Sequence, residues 1–346
     1  MNDRFLKACR RQRVDTTPVW FMRQAGRYLP EYRKIREKHD VISICKDPEL
    51  CSDVTAMPVG VLGVDAAIMF ADIMLPLGGM GIKFEIKDGV GPVIKDPVDN
   101  LDRVKLMDDL DTKSDIPFVL DSISLTKKKL GGSVPVIGFS GAPFTLASYL
   151  IEGHPTRDFV KTKALMYREP ETWELLMHKL STAMSEYLKA QIESGVDAIQ
   201  LFDTWIGCLS PQDYRRYVLP YSQRIFKELE DKRVPRIHFG TGTSSLLGEM
   251  RLAGGDVFSV DWRVPIDTAW QQLGRDVGIQ GNLDPTVLLA DMNFVRSQAE
   301  DILRRVNGSL GHVFNLGHGV LQETPVSNLV ELVKFVHNFT GEKKAA

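Results

Sequence analysis

The sequence is poor in cysteine and has no long apolar segment. Its 346 residues include only four cysteines, and no two of them have Cys-x-x-Cys spacing. A disulfide framework is therefore not expected. The sequence has no run of about 18 apolar residues that could span a membrane, and the charges near its start interrupt any signal peptide. These absences favour a reducing, cytoplasmic setting without a membrane partner.

The sequence also has little net charge. Lysine and arginine number 43 against 45 acidic residues, which gives a formal net charge of −2. A nucleic-acid-binding surface normally requires a basic excess, so no nucleic-acid partner is expected. Apolar residues make up 43% of the chain, a fraction that is typical of a globular protein and disfavours long disordered segments.

Signals for a metal or an organic cofactor are missing as well. A structural or catalytic zinc–thiolate site needs cysteine together with histidine. His238 ends a predicted strand, but Gly240 stands where a nearby cysteine would be needed, and no cysteine follows Cys208. The segment GTGTSS at 240–245 is only a weak signal for anion binding by backbone N–H groups. We therefore predict no metal and no cofactor.

What the sequence does contain is an alternation of short apolar segments with longer amphipathic ones. Between the apolar segments, 170–195 shows helical periodicity, with Pro170 at its start and Gly195 at its end. Buried strands that are each followed by a helix indicate a parallel sheet with both faces covered. The predicted strands are 18–22, 66–72, 134–140, 197–203, 234–240, 256–262, 277–283 and 312–318. Eight such units predict a single (β/α)8 TIM barrel over residues 1–346.

A doubly wound open sheet is the alternative fold. Such a sheet normally has a glycine-rich turn after its first strand, whereas the turn here reads Arg-Gln-Ala-Gly-Arg. The barrel is therefore favoured. The segment 82–94, with Asp88-Gly89 as its turn, predicts a β-hairpin inserted after the second strand.

Polar side chains follow several predicted strands where each strand ends. In a (β/α)8 barrel these ends meet on one face, which carries the active site. Each residue also has a structural interpretation: surface ion pairs for the arginines, helix caps for the aspartate and threonine, and core packing for the tyrosine. The convergence of the strand ends is what favours a binding site. The residues are Arg23, Arg27, Asp72, Tyr149, Thr204 and His318.

Two long segments resemble the signatures of the uroporphyrinogen decarboxylase family. They are PVWFMRQAGRYLPEY at 18–32 and GFSGAPFTLASYLIEG at 138–153, and IMFADIMLP, LFDTW, QGNLDP and FNLGHG follow the order of that family. The resemblance covers nearly the whole chain. It implies one barrel, usually a homodimer, that acts without metal or cofactor. It also implies decarboxylation of the four acetate side chains of uroporphyrinogen III, which gives coproporphyrinogen III and four CO2.

The resemblance further implies roles for individual residues. Asp72 matches the central aspartate of the family, whose carboxylate accepts from the pyrrole N–H groups and stabilises a cationic intermediate. Arg23 and Arg27 resemble the clamps for substrate carboxylates, and either is a candidate for proton delivery. The expected catalytic residues are Asp72, Arg23, Arg27 and Tyr149. Further substrate contacts are expected at Gln24, Ala25, Gly26, Arg36, Thr204 and His318.

Two other functions remain open at this level. The first is a corrinoid-linked methyltransferase on a related barrel, which would need the zinc–thiolate centre that the cysteine distribution disfavours. The second is a tetrapyrrole carrier without turnover, which would use the same binding residues. Incubation with the reduced substrate distinguishes these functions.

Overall fold

The protein is described by a computed structural model that covers residues 2–87 and 89–340. Seven parallel strands form one curled sheet in an α/β fold, in the order β1-β4-β5-β6-β7-β8-β9. A separate antiparallel pair, β2 and β3, lies between β1 and β4 in the chain. The strands are β1 (Ala67–Ile68), β2 (Phe84–Lys87), β3 (Gly91–Ile94), β4 (Val136–Gly141), β5 (Ala198–Asp203), β6 (Arg236–Gly240), β7 (Val257–Ser259), β8 (Gly278–Leu283) and β9 (His312–Leu316).

Helices fill the connections between these strands. The longest, α11, begins at Pro170 as predicted, and most of its apolar positions are buried. Short 3-10 helices lie at Ile206–Cys208, Glu230–Lys232 and Pro285–Leu289. The α-helices are α1 (Arg4–Cys9), α2 (Pro30–Arg36), α3 (Val41–Lys46), α4 (Pro48–Leu62), α5 (Leu75–Gly79), α6 (Leu101–Lys105), α7 (Thr112–Asp115), α8 (Pro117–Leu130), α9 (Pro143–Glu152), α10 (Val160–Arg168), α11 (Pro170–Glu193), α12 (Pro211–Tyr217), α13 (Leu219–Glu228), α14 (Leu247–Ala253), α15 (Ile266–Leu273), α16 (Met292–Val306) and α17 (Val326–Asn338).

Seven of the eight predicted strands are present in the sheet, and the strand order follows the chain without reversal. The doubly wound alternative is therefore wrong, because its strand order would reverse at a switch point. Each neighbouring pair is parallel, as in Ile137↔Ala198 and Ile237↔Val257. The polar ends of these strands consequently lie on the same edge of the sheet.

The predicted first strand, 18–22, forms only one isolated parallel bridge, Val19↔Phe314. The segment still lies beside β9, because the Phe314 N–H donates to the Pro18 carbonyl (2.9 Å). Three of its backbone N–H groups bond to side chains: that of Val19 donates to Asp65 (2.7 Å), that of Phe21 to Gln24 (3.1 Å) and that of Met22 to Asn315 (3.2 Å). Proline brings no N–H at all. Side-chain acceptors thus replace the regular ladder that the apolar pattern predicted.

Buried polar side chains link this segment to the sheet interior. The Trp20 indole N–H donates to Gln280 (2.9 Å), whose amide in turn donates to Gln200 (3.0 Å) and Ser259 (2.9 Å). All four side chains are fully buried. A continuous hydrophobic cluster surrounds them and reaches from the first helix to the last.

The predicted hairpin lies where the sequence indicated it, as an antiparallel pair with the register Phe84↔Ile94. Its turn was predicted at Asp88-Gly89; Gly89 has a left-handed φ of 76°, while Asp88 lies outside the described residues. The hairpin attaches to the end of α9, because the Ile94 N–H donates to the Gly153 carbonyl (2.7 Å). In the described part of the chain, every helix is too short or too polar to cross a membrane.

Candidate active site

Arg23 lies at the centre of the predicted site. It follows the 18–22 segment with a left-handed φ of 59°, and its side chain is exposed. The stem of Arg23 lies over Gly319, since a Cβ added at Gly319 would be 2.7 Å from Cγ of Arg23. The positive charge of Arg23 acts to lower the pKa of Asp72, Tyr149 and His318. Residues from three other parts of the chain therefore lie within electrostatic reach of Arg23.

The loop that follows Arg23 packs against itself. The residue of this loop with left-handed backbone is Arg23, not Gly26. A Cβ at Gly26 would lie 3.0 Å from the Arg23 carbonyl, so a small residue is required there by the loop's own backbone. Ala25 is half-buried beside it. The Tyr28 hydroxyl closes the loop by donating to the Gln24 carbonyl (2.5 Å).

Gln24 does not occupy the position expected of a ligand contact. Its side chain is fully buried, the amide donates to the Ala66 carbonyl (3.0 Å), and Oε1 accepts from the Phe21 N–H (3.1 Å). A side chain that satisfies both its polar ends inside the protein has little to offer a substrate. Gln24 instead attaches the arginine loop to the start of β1, and the sequence pattern alone does not distinguish this role from binding.

Asp72 follows β1 by four residues and is half-buried. Its Oδ1 accepts the Met74 N–H (2.9 Å) in the turn that leads into α5. The N-cap of α5 is Met74, without a side-chain cap, so the alternative role of Asp72 as a helix cap is not found. Within the described residues, Oδ2 accepts no hydrogen bond from the protein. Burial raises the pKa of Asp72, while the Met74 N–H and the charge of Arg23 oppose that rise. One carboxylate oxygen is thus held by the backbone and the other is available to a ligand.

Tyr149 lies on α9 and forms an aromatic wall with Trp205 and Phe159. The Tyr149 and Trp205 rings are 4.0 Å apart between centroids, and Phe159 lies 5.1 Å from Trp205. Burial raises the pKa of Tyr149; the nearby Asp72 raises it further and Arg23 lowers it. The phenol is therefore neutral at physiological pH, and it lies close to the aspartate, not deep in the core.

Thr204 follows the last residue of β5 and is half-buried. Its predicted alternative role as a helix cap is not found, because the next helical turn begins after Trp205 without a side-chain cap. The Thr204 carbonyl accepts the Thr241 hydroxyl (2.5 Å), so the 240–245 segment positions the site loop. The Gly242 N–H donates to Asp261 (2.6 Å). The Asp261 carboxylate thus uses one of the N–H donors of the 240–245 segment. That segment is therefore less suited to bind an external anion.

His318 lies between Gly317 and Gly319, both in close contact with neighbouring atoms. A Cβ at Gly317 would be 2.7 Å from the Trp262 backbone nitrogen, and Gly319 lies under Arg23. The close contacts at both glycines are thus with atoms of the protein itself. Nδ1 of His318 accepts the Gly319 N–H (2.7 Å), so the neutral ring carries its proton on Nε2. Burial, with help from Arg23, lowers the pKa of His318 to about 4.

This pKa makes stability depend on pH in a definite direction. The unfolded chain binds a proton at His318 near pH 6.5, whereas the folded protein does so only near pH 4. We expect His318 to contribute about 1–2 kcal/mol to the fall in the free energy of unfolding between pH 7 and pH 5, allowing for partial exposure of the ring. Urea denaturation at both pH values measures this. The His318→Gln variant should lose that part of the dependence, and an unchanged pH dependence would contradict the assignment.

Arg27 and Arg36 lie further along the same loop and helix. The Arg27 carbonyl accepts from Arg33 (2.9 Å), and the Arg27 side chain is half-buried. Arg36 ends α2, donates to the His39 carbonyl (2.7 Å), and contributes to lowering the pKa of Asp40. These contacts connect Arg36 to its own helix end; its predicted substrate contact stays a prediction.

The structure adds residues that the sequence did not single out. Trp205 and Phe159 complete the aromatic wall, and Phe159 has an unusual left-handed φ of 52° for a bulky residue. The position of Trp205 next to Thr204 was a usable signal, whereas nothing in the pattern around Phe159 indicates a role. Among residues 2–87 and 89–340, His, Cys, Asp and Glu form no group of three or more that could hold a metal ion.

Comparison with known proteins gives consistent results over nearly the whole chain. The family model of uroporphyrinogen decarboxylase (URO-D) matches residues 1–339. The uroporphyrinogen decarboxylase of Carboxydothermus hydrogenoformans is 50% identical over 341 residues, which cover 99% of this chain and 97% of that protein. The enzyme of Thermobifida fusca is 51% identical over 337 residues, covering 97% and 93%.

A solved structure supports the fold at lower identity. A methyltransferase from Methanosarcina mazei has a TM-score of 0.76 over 97% of each chain, with 19% sequence identity. At that identity the likeness concerns the fold alone. The methyltransferase alternative therefore gains no functional support from this likeness.

Proposed function

The chain belongs to the uroporphyrinogen decarboxylase family and is a carboxy-lyase of tetrapyrrole biosynthesis, and we propose that its chemistry takes place around Asp72. The site is supported by the Asp72 carboxylate that the Met74 N–H orients, together with the charge of Arg23, which acts to lower the pKa of Asp72, Tyr149 and His318. An acceptor carboxylate, a guanidinium and a neutral phenol meet there beside an aromatic wall. The proposed reaction converts uroporphyrinogen III to coproporphyrinogen III and four CO2 without a cofactor.

The chemistry requires a place for the electrons that remain when an acetate loses CO2. A protonated pyrrole provides it: a proton added to a ring carbon makes a cation, and cleavage of the bond between the acetate carbons delivers the electron pair to that cation. A second proton then converts the exocyclic methylene to methyl, and the ring proton leaves. Each acetate thus consumes one proton overall and yields one methyl group and one CO2.

Asp72 is suited to favour that cation. An ionised carboxylate offers only acceptors, as converging pyrrole N–H groups require. Because the Met74 N–H fixes Oδ1, the carboxylate is already oriented before substrate arrives. Such preorganised charge stabilises a developing opposite charge more strongly in a partly buried site than in water.

Arg23 and Arg27 are proposed to hold the substrate's carboxylates. Guanidinium groups bond carboxylates through two parallel N–H contacts. Arg23 is also proposed to act near the reacting acetate, where its charge favours the ionised acid that must lose CO2. Tyr149, Thr204 and the Nε2–H of His318 are proposed as further donors, because all three groups are neutral at physiological pH. Ala25 and Gly26 provide backbone next to the ligand.

The fold is proposed to close as one (β/α)8 barrel over the whole chain, with the 82–94 hairpin inserted after the second strand. Support comes from the Val19↔Phe314 bridge and from the Asp65 N–H, which donates to the Val19 carbonyl (2.7 Å). The 18–22 segment thus joins β9 to the residues before β1. A homodimer in the cytoplasm is proposed from the family resemblance.

The function is tested by anaerobic incubation of the protein with reduced uroporphyrinogen III. We expect release of four CO2 for each molecule of substrate, with stepwise loss of carboxyl groups seen by mass spectrometry. Heat-inactivated protein is the control. Recovery of unchanged ligand in complex with the protein would favour the carrier alternative and would contradict turnover.

A further inference from the structure

Thr145 lies in a buried contact between α9 and the end of β5. Its hydroxyl donates to Oδ1 of Asp203 (3.1 Å) and accepts the Trp205 N–H (3.4 Å). The Thr145 and Asp203 side chains are both fully buried. A hydroxyl that uses its donor and an acceptor position at once is held in one orientation. Thr145 therefore ties the helix to the two sides of Thr204.

The same helix face carries Tyr149, one turn further along. Residues four apart on a helix are neighbours on its surface. Trp205, whose backbone bonds to Thr145, stacks on the Tyr149 ring at 4.0 Å. The Thr145 hydroxyl thus connects to both members of the aromatic pair, one through α9 and the other through the backbone after β5.

Among the described residues, Thr145 is the side chain that donates a hydrogen bond to the Asp203 carboxyl group. Oδ2 of Asp203 lies 4.0 Å from Nε2 of the fully buried His238. In the described residues, Oδ2 and both ring nitrogens of His238 have no hydrogen-bond partner. Burial raises the pKa of Asp203, and His238 and Thr145 oppose the rise. Thr145 is accordingly the hydrogen-bond donor that fixes this carboxyl group.

We propose that Thr145 is a positioning residue of the decarboxylase. Bonded to the buried Asp203, its hydroxyl sets the backbone of Thr204 and Trp205 and thereby the Tyr149–Trp205 wall against which the tetrapyrrole docks. This inference rests on the proposed site. Thr145 touches no reacting atom in this arrangement and acts through the wall.

The test compares Thr145→Val, which keeps the shape and loses the hydroxyl, with Thr145→Ser, which keeps the hydroxyl. Ser148→Ala is the matched control, because Ser148 is a buried hydroxyl on the same helix that donates to its own helix at the Phe144 carbonyl (2.8 Å). We expect Thr145→Val to raise KM about tenfold with kcat changed less than about threefold, since a displaced wall weakens binding in ground and transition states alike. Thr145→Ser and Ser148→Ala should stay within about threefold of the parent in both constants.

A second readout needs no substrate. Hydrogen exchange of the Trp205 amide should become about fivefold faster in Thr145→Val, because that N–H loses its acceptor, and should be unchanged in Ser148→Ala. Faster exchange with an unchanged KM in Thr145→Val would overturn the positioning role. The same KM and exchange rate in Thr145→Val and Ser148→Ala would overturn it as well. If the reaction does not take place at Asp72, the Trp205 amide should still exchange faster in Thr145→Val. Failure of the proposed active site can therefore be distinguished from failure of the positioning role.

If the Thr145→Val protein does not fold, Trp205→Phe is the variant to measure instead. That variant keeps the backbone N–H that bonds to Thr145 and shortens the aromatic wall. We expect KM to rise about tenfold there as well, with little change in kcat. An unchanged KM would overturn the proposal, because the wall would then have no part in binding.

Discussion

Replacing Asp72 with Asn is expected to lower kcat by about 10²–10³-fold, the usual cost of removing one preorganised charge from a transition state. Asn keeps the oxygen that accepts the Met74 N–H, so the turn into α5 should survive. The variant loses the negative charge that favours the cationic pyrrole. Single-turnover measurement of CO2 release, under anaerobic conditions, gives the rate of the chemical step.

Asp284→Asn is the matched control for that variant. Asp284 also follows a strand, β8, and its Oδ1 also accepts an N–H two residues further along, from Thr286 (2.9 Å). It therefore makes the same kind of backbone contact without being one of the residues assigned to the site. We expect normal turnover in Asp284→Asn, and near-normal turnover in Asp72→Asn would remove the proposed role of Asp72.

Stability should change in the direction opposite to activity. Burial raises the pKa of Asp72, so the ionised carboxylate destabilises the fold as pH rises through that pKa. The neutral Asn side chain avoids this cost. The Asp72→Asn protein is therefore expected to be at least as stable as the parent at neutral pH while being far less active, a combination typical of a functional residue.

Replacing Arg23 with Gln is expected to lower kcat/KM by about 10–100-fold, mainly through KM, because a charged hydrogen bond to a substrate carboxylate is lost. The kcat/KM of Arg23→Lys should lie between those of Arg23→Gln and the parent, since lysine keeps the charge but not the two parallel N–H contacts. Steady-state kinetics with uroporphyrinogen measures all three proteins.

Arg11 provides an unusually close control for Arg23. Its φ of 54° is also left-handed, its side chain is also exposed, and its stem also packs on a glycine, with a Cβ at Gly311 falling 2.8 Å from Cγ of Arg11. It lies at the opposite ends of the strands, near Pro235 and Val277. Arg11→Gln should leave KM unchanged. If Arg23→Gln and Arg11→Gln change KM by the same factor, the substrate's carboxylates bind to other residues.

Much of the fold was predictable because continuous apolar segments bounded by turns are a strong signal for buried parallel strands. The same signal failed at 18–22, where Asp65 and Asn315 accept backbone N–H groups that a strand would pair with its neighbour. Those acceptors lie about 46 and 293 positions away, and no local pattern reveals them.

The positions of Asp72 and His318 beyond the ends of β1 and β9 were predictable, because a polar residue follows an apolar strand in each case. The candidate site was not predictable where burial decides the role. Gln24 has the chemistry of a ligand contact, but its amide is used inside the protein. The conformation of Arg23 was likewise hidden, because a left-handed arginine beside Gly26 contradicts the usual assignment of such backbone to glycine. Thr145 and Phe159 acquire meaning only from neighbours distant in sequence.

The meeting of the arginine loop with β9 has a consequence for how the protein becomes competent during synthesis. Met22 and Asn315, which join the two, are separated by 293 positions, and Arg23 rests on Gly319. Contacts between such distant residues form late, because the intervening chain must first be made and ordered. A nascent chain still lacking its last strand carries Arg23 and Asp72 but leaves Arg23 without the surface that supports it. Affinity for the tetrapyrrole should therefore emerge only after β9 and Gly319 have been synthesised.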